Sequence, residues 1–149
     1  MKNKLLSIFT GLFISISSFS ASAVTEVVWW DFLGGGDGVR MKQLIDNFNA
    51  AHSDIQINAT TLEWGVPFYT KVQTSAAVGE QPDMMTYHLS RFPLAVPTGI
   101  LRPFSEEELS SVGLNEDRFF PANWEAANFG GATHGIPLDI HANVMYFNA

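Results

Sequence analysis

Aromatic side chains stand at the ends of three predicted strands, where they could contact a ligand. Trp30 and Phe32 end the first strand, Trp64 follows the second, and Tyr87 with His88 ends the third. Parallel pairing would bring these ends to one edge of the sheet, which is where open α/β sheets bind ligands. Rings that stack on C–H faces, beside carboxylates and amides that bind hydroxyls, are typical of sites for uncharged polyols. The pattern therefore predicts a sugar site at that edge.

A place in the hydrophobic core is the alternative explanation of the same rings. It accounts equally well for Trp29 and Trp30, which lie within the apolar first strand. It suits Trp64 less well, because Glu63 and Gly65 flank that residue in a predicted loop. Trp64 is therefore the ring that we most expect to contact a ligand.

Other chemistries find less support in the residues. A dinucleotide fingerprint starting at Gly34 requires glycine or alanine at position 39, where the chain has Val39. No histidines form the i, i+4 pair of a helical zinc site, and Asp139 with His141, which face the same way on a predicted strand, would need a third metal ligand. Neither Gly-x-Ser-x-Gly nor any cysteine supplies a nucleophile. We predict no metal, cofactor or catalytic residue, and an exported carbohydrate-active hydrolase remains the alternative.

Strands alternate with helices in the first half of the chain. Apolar residues with a period of two or in short β-rich runs predict strands, and apolar residues at helical spacing predict the helices between them. The order predicts parallel pairing, with right-handed crossovers and helices on both faces of one sheet. The predicted elements are a strand at 26–32, a glycine-rich loop at 34–38, a helix over 41–51, a strand at 55–60, a helix over 66–78 and a strand at 83–87.

The second half is less regular. A short helix is predicted over 91–96, and Ser105 with Glu108 forms the capping box of a helix over 106–112. Residues 114–132 are irregular or form short helices, and the tail gives extended pieces at 134–138 and 142–148.

The first 23 residues predict a signal peptide that is cleaved after Ala23. Lys2 and Lys4 precede an apolar stretch at 5–19 and a small-residue site, and the stretch is shorter than the roughly 20 residues of a membrane helix. Without those two lysines, six of the 8 basic residues face 15 acidic ones, so we expect no nucleic-acid partner. The chain has no cysteine, which excludes a covalent lipid anchor at the cleavage site. These features predict a free periplasmic protein.

Several motifs, taken together in their order, resemble a known family. Residues 77–83 (AVGEQPD) lead into a strand, 99–101 (GIL) follow a short helix, and 135–137 (GIP) precede 144–148 (VMYFN). With the export signal, these motifs resemble the family 1 extracellular solute-binding proteins. Those proteins are the sugar-binding subunits of bacterial ABC importers, and the group includes maltose-binding protein. The resemblance covers residues 24–149.

The resemblance implies an α/β fold of the type II periplasmic-binding-protein class. Members have two lobes that close around the ligand and deliver it to a membrane permease without performing chemistry. Residues 24–149 would be the N-terminal lobe, with a mostly parallel sheet flanked by helices. Because the chain stops just after an apolar strand, we expect the second lobe to be largely missing. The isolated 149-residue chain should then bind sugar poorly and aggregate, whereas the full-length protein should be a monomer.

The resemblance also implies a set of ligand-facing positions in the loops that follow the strands and in the tail. They are Phe32, Gly35, Asp37, Trp64, His88, Ser90, Asp139 and His141. Asp83, between Pro82 and the third strand, is equally suited to bind backbone amides. The expected partners are a sugar, whose identity the sequence does not give, and the permease subunits of an ABC importer.

Overall fold

The computed structural model of the chain describes residues 23–140 together with Met145 and Phe147. The predicted signal peptide up to residue 22, the predicted ligand position His141 and most of the predicted strand at 142–148 lie outside the described residues. Within the described part, none of the helices has the length and apolar character that a membrane span requires.

A three-stranded parallel sheet forms the first half of the chain. The strand nearest the amino terminus lies in the centre of the sheet and is hydrogen-bonded to both other strands. The carboxyl ends of all three strands therefore meet at one edge, as the alternating pattern predicts. The strands are β1 (Thr25–Asp31), β2 (Ile55–Thr61) and β3 (Met84–Met85).

The third strand is shorter than the predicted 83–87, but its backbone contacts to β1 extend beyond it on both sides. The N–H of Asp83 donates to the carbonyl of Val28 (3.0 Å), and the N–H of Thr86 donates to the carbonyl of Trp30 (3.0 Å). The Asp83 carboxylate accepts the N–H of Val28 at 2.8 Å. Asp83 thus fastens β3 to β1, which is the anchoring role that its position suggested.

Two helices cover the opposite faces of this sheet, as predicted. The side chain of Trp30 packs against the buried residues of α2 (Val66–Ala77). Asp31, which points to the other face, lines a cavity of about 240 Å³ with Met41 of α1 (Gly35–Ala51). Successive side chains of a strand point to opposite faces, so α1 and α2 lie on different sides.

Helix α1 begins earlier than the sequence indicated. The predicted loop at 34–38 is wrong, because the N–H of Gly38 donates to the carbonyl of Gly34 (3.2 Å) and closes the first helical turn. A Cβ atom at Gly38 would overlap the carbonyl oxygen of Leu33. Glycine therefore permits this turn by allowing the preceding backbone to approach closely.

The principal core lies between α2 and the sheet. Phe68 and Val72 are fully buried, and Tyr69 is nearly so. Burying such side chains supplies most of the favourable free energy of folding. The half-buried apolar residues that pack on them are Trp30, Phe32, Leu62, Met85, Tyr87 and Ile100.

Short elements make up the second half of the described chain. The Ser105 side chain accepts the N–H of Glu108, and the Glu108 carboxylate accepts the N–H of Ser105, which confirms the predicted capping box. The predicted extended piece at 134–138 is in no strand, and a small antiparallel hairpin precedes it. The elements are α3 (Phe92–Ala95) between single 3₁₀ turns at Leu89–Arg91 and Val96–Thr98, α4 (Glu106–Ser111), a 3₁₀ turn at Glu116–Arg118, α5 (Pro121–Ala126), β4 (Asn128–Phe129) and β5 (Ala132–Thr133).

Candidate functional site

Three of the predicted ligand positions meet at the carboxyl edge of the sheet. Phe32 follows β1 directly, Trp64 lies in the loop after β2, and His88 lies in the loop after β3. The rings of Phe32 and His88 are stacked, with centroids 4.7 Å apart and planes at 8°. Trp64 meets His88 edge-on at 6.4 Å. The parallel topology thus brings together three side chains that are well separated in the chain.

Two tyrosines support these rings from the core side. The hydroxyl of Tyr69 shares a hydrogen bond with Nδ1 of His88, and the Tyr69 ring packs on Tyr87 with centroids 5.2 Å apart. Burial raises the pKa of both tyrosines, so both hydroxyls stay protonated at neutral pH. We call Phe32, Trp64, Tyr69, Tyr87 and His88 the edge cluster.

A cation lies on the edge cluster. The guanidinium carbon of Arg91 is 4.7 Å from the ring centroid of Tyr69, within the range of a cation–π contact. Its positive charge offsets part of the effect of burial, and the pKa of Tyr69 and Tyr87 stays above its usual value. The 3₁₀ turn Leu89–Arg91 places this guanidinium one short turn after His88.

Trp64 forms the exposed part of the cluster. Its side chain is 68% exposed, whereas Tyr69 is 9% exposed. Since Gly65 adopts a positive φ of 90° just before α2, the loop turns sharply after the indole. An indole held over a packed wall offers a flat apolar face to solvent, which suits the C–H face of a sugar ring.

The four other predicted positions that the structure describes are not members of the edge cluster. Gly35 and Asp37 are in the first turn of α1, where the helix dipole favours an acidic residue, and the Asp37 carboxylate is 4.0 Å from the Arg40 guanidinium. Ser90 is exposed in the 3₁₀ turn beside the edge cluster. His141 lies outside the described residues.

Asp139 lines a broad depression of about 640 Å³ in the second half of the chain. The five residues of the edge cluster are not among those that line this depression. The lining residues are Asp117, Arg118, Phe119, Phe120, Asn123, Pro137, Leu138, Asp139 and Ile140.

Sequence reasoning did not single out Tyr69 or Arg91 as site residues. Tyr69 follows Phe68 on α2 and belongs to no motif that would have marked it. Arg91 was one of a few scattered basic residues, although its position three residues after His88 is a signal that could have been used.

The edge cluster can stack against an apolar face and bind polar groups, but a metal site is not evident. Among the residues that the structure describes, no group of three or more histidine, aspartate or glutamate side chains could hold a metal ion. Among the described residues, the cluster includes ring packing, the hydrogen bond between Tyr69 and His88, and the cation–π contact of Arg91. Such an arrangement is suited to binding.

Comparison with known proteins gives matches among solved structures. The chain matches no protein-family model, and a search of the curated proteins finds no match either. The galacto-N-biose-/lacto-N-biose I-binding protein of the ABC transporter from Bifidobacterium longum matches with a TM-score of 0.67 and 21% identity, over 78% of this chain and 29% of that chain. The sugar-binding protein MalE from Xanthomonas citri matches with a TM-score of 0.67 and 18% identity, over 76% and 28%.

A family 1 extracellular solute-binding protein from Alicyclobacillus acidocaldarius matches with a TM-score of 0.65 and 19% identity, over 76% of this chain and 28% of that chain. The structural neighbours thus include the family that the motifs resemble, and the predicted periplasmic-binding-protein-like α/β fold is confirmed. The chain spans less than a third of the length of these proteins. A designed cysteine esterase is also among the matches, so the fold alone does not distinguish binding from catalysis.

Proposed function

We propose that this chain belongs to the family 1 extracellular solute-binding proteins and that the full-length protein binds a sugar or oligosaccharide for an ABC importer. One observation carries the proposal. Phe32, Trp64 and His88, from the ends of three parallel strands, are in ring contact at the sheet edge. The fold on which they meet is shared with proteins whose names describe sugar binding.

The geometry suggests how such a ligand would be held. The half-buried stack of Phe32 on His88 is held in place by the hydrogen bond between His88 and Tyr69. This part of the site is therefore preorganised before the ligand binds. Trp64 supplies an exposed ring face for the apolar side of a pyranose. The Arg91 guanidinium supplies hydrogen-bond donors for the polar side. Closure of a second lobe would then remove the bound sugar from water.

The location and assembly of the protein form part of the same proposal. Residues 1–23 would direct export and be removed, and 24–149 would form the N-terminal lobe of a periplasmic protein without a covalent lipid anchor. The full-length protein would act as a monomer, dock on the permease subunits of its importer and perform no chemistry. The designed esterase gives little support to the hydrolase alternative, because its name describes an activity that was designed de novo.

Calorimetric titration of the full-length protein with a panel of mono- and oligosaccharides tests the proposal. We expect saturable binding of at least one sugar, unchanged by EDTA, and recovery of that sugar intact by chromatography after a long incubation. A cleaved product would support the hydrolase instead, and loss of binding in EDTA would support a metal site. Failure of every saccharide to bind would overturn the proposal.

A further inference from the structure

The strongest unexplained feature of the edge cluster is its cation. The chain carries 15 acidic residues against 8 basic ones, so carboxylate partners are abundant. In the described part of the chain, ion pairs join Arg40 to Asp37, Lys42 to Asp46 and Arg102 to Glu108. Arg91, like Lys71 and Arg118, belongs to none of these pairs, and it is the one of the three that lies on the edge cluster, over the ring of Tyr69.

The surroundings of Arg91 hold its guanidinium in a defined place without using its donors. Tyr69 is buried and its hydroxyl is tied to His88, so the ring beneath the guanidinium is fixed. A cation–π contact engages the charge but consumes none of the five N–H groups. Arg91 itself is exposed, so these donors are accessible to a ligand at the sheet edge.

A guanidinium with accessible donors matches one class of ligand group best. Its planar fork binds a carboxylate through two parallel N–H···O bonds, which are stronger than bonds to a neutral hydroxyl. We propose that the saccharide bound at the edge cluster is acidic and that Arg91 binds its carboxylate, as in a uronic acid. This inference rests on the proposed function and narrows it to a substrate class.

The test compares each acid with its own methyl ester, which removes the charge and keeps the sugar. Oligosaccharides of galacturonate, glucuronate and mannuronate, their methyl esters and the neutral parent sugars are titrated into the full-length protein. We expect one acid to bind about ten- to a hundredfold more tightly than its ester, as charge-assisted hydrogen bonds allow. The difference should shrink as salt is added, because the interaction is between charges near the surface.

Variants identify the residue responsible. Arg91→Gln should bring the affinity of the acid down to that of its ester, and Arg91→Lys should retain part of the difference. Lys42→Gln changes the net charge equally at an exposed ion pair on α1 and should leave the preference intact. Melting curves of the three variants show whether each is folded.

The possible outcomes distinguish the acidic ligand from the more general proposal that the protein binds a sugar. Equal affinity for acid and ester would overturn the acidic ligand, and a preference that survives in Arg91→Gln would overturn the role of Arg91. In either case, binding of a sugar would still support a sugar-binding protein. If no saccharide binds, charged or neutral, both proposals fail.

Discussion

Replacement of Trp64 by alanine separates a ligand-binding ring from a core ring. Trp64 is 68% exposed, so only about a third of its surface is buried by the rest of the chain. A fully buried tryptophan removes about 150–250 Å² from water, and at about 25 cal/mol per Å² the buried third of Trp64 contributes at most about 1–2 kcal/mol to folding. By contrast, Phe68 is fully buried, and Phe68→Ala should cost about 3–5 kcal/mol.

The effect on ligand binding follows from the exposed face of the indole. A ring that stacks on a sugar should contribute about 0.5–1.5 kcal/mol, by analogy with aromatic pairs, which corresponds to about a 2- to 13-fold change in Kd. The contact of Trp64 with His88 is an edge contact at 6.4 Å, so its loss should leave the Phe32–His88 stack in place. Trp64→Ala should therefore weaken binding while changing stability little.

The assay pairs titration calorimetry with urea denaturation of the full-length protein and two comparison variants. Phe120→Ala removes an aromatic residue of similar exposure, 72%, that lines the separate depression, and it should leave affinity unchanged. Phe68→Ala reports the cost of a true core residue. A Trp64→Ala protein that lost about 3 kcal/mol of stability and kept its full affinity would show that Trp64 is a core residue and not a ligand-binding one.

Three further predictions concern the start of α1, the capping box of α4 and the amino terminus. Gly38→Ala should lower the melting temperature because its Cβ would overlap a backbone carbonyl. Gly36→Ala is the control: a Cβ there would have no atom within 4 Å, so this substitution should raise the melting temperature slightly. A Gly38→Ala protein as stable as the wild type would show that the first turn of α1 has a different backbone conformation. The hydrogen bond from Arg102 chiefly lowers the pKa of Glu108 to about 2, so this residue's contribution to stability is present above about pH 4.5 and lost as the pH falls toward 2. The melting temperatures of the wild type and Glu108→Gln should accordingly differ at pH 6 and converge near pH 2, and a constant difference would contradict that linkage. Mass spectrometry of periplasmic material should find Val24 as the first residue, and a retained amino-terminal methionine would contradict cleavage after Ala23.

The parallel order and the meeting of the rings could be predicted because they depend on local patterns. Strands and helices of the βαβαβ unit differ in hydrophobic period, and parallel pairing then places the ends of the strands together. Phe32, Trp64 and His88 are close in space for that reason alone. The order of the strands and helices along the chain was sufficient to predict that these residues lie at one edge of the sheet.

Other features depend on tertiary contacts that no local pattern encodes. The start of α1 at Gly35 was missed because a glycine run is compatible with both a loop and a closely packed helical turn. The contact between Arg91 and Tyr69 joins a 3₁₀ turn to the first turn of α2, and it forms only when the chain is folded. The position of Asp139 in the depression beside α5 depends likewise on how the irregular second half packs.

A crystal structure of the full-length protein with a bound saccharide would show whether the ligand binds at the edge cluster. The described chain offers two candidate surfaces, the edge cluster and the depression beside α5. We expect a sugar ring against the indole of Trp64 and beside the Phe32–His88 stack, with a polar group of the ligand at the Arg91 guanidinium. A saccharide in the depression lined by Phe119, Phe120 and Asp139, with the edge cluster left in contact with solvent, would contradict it.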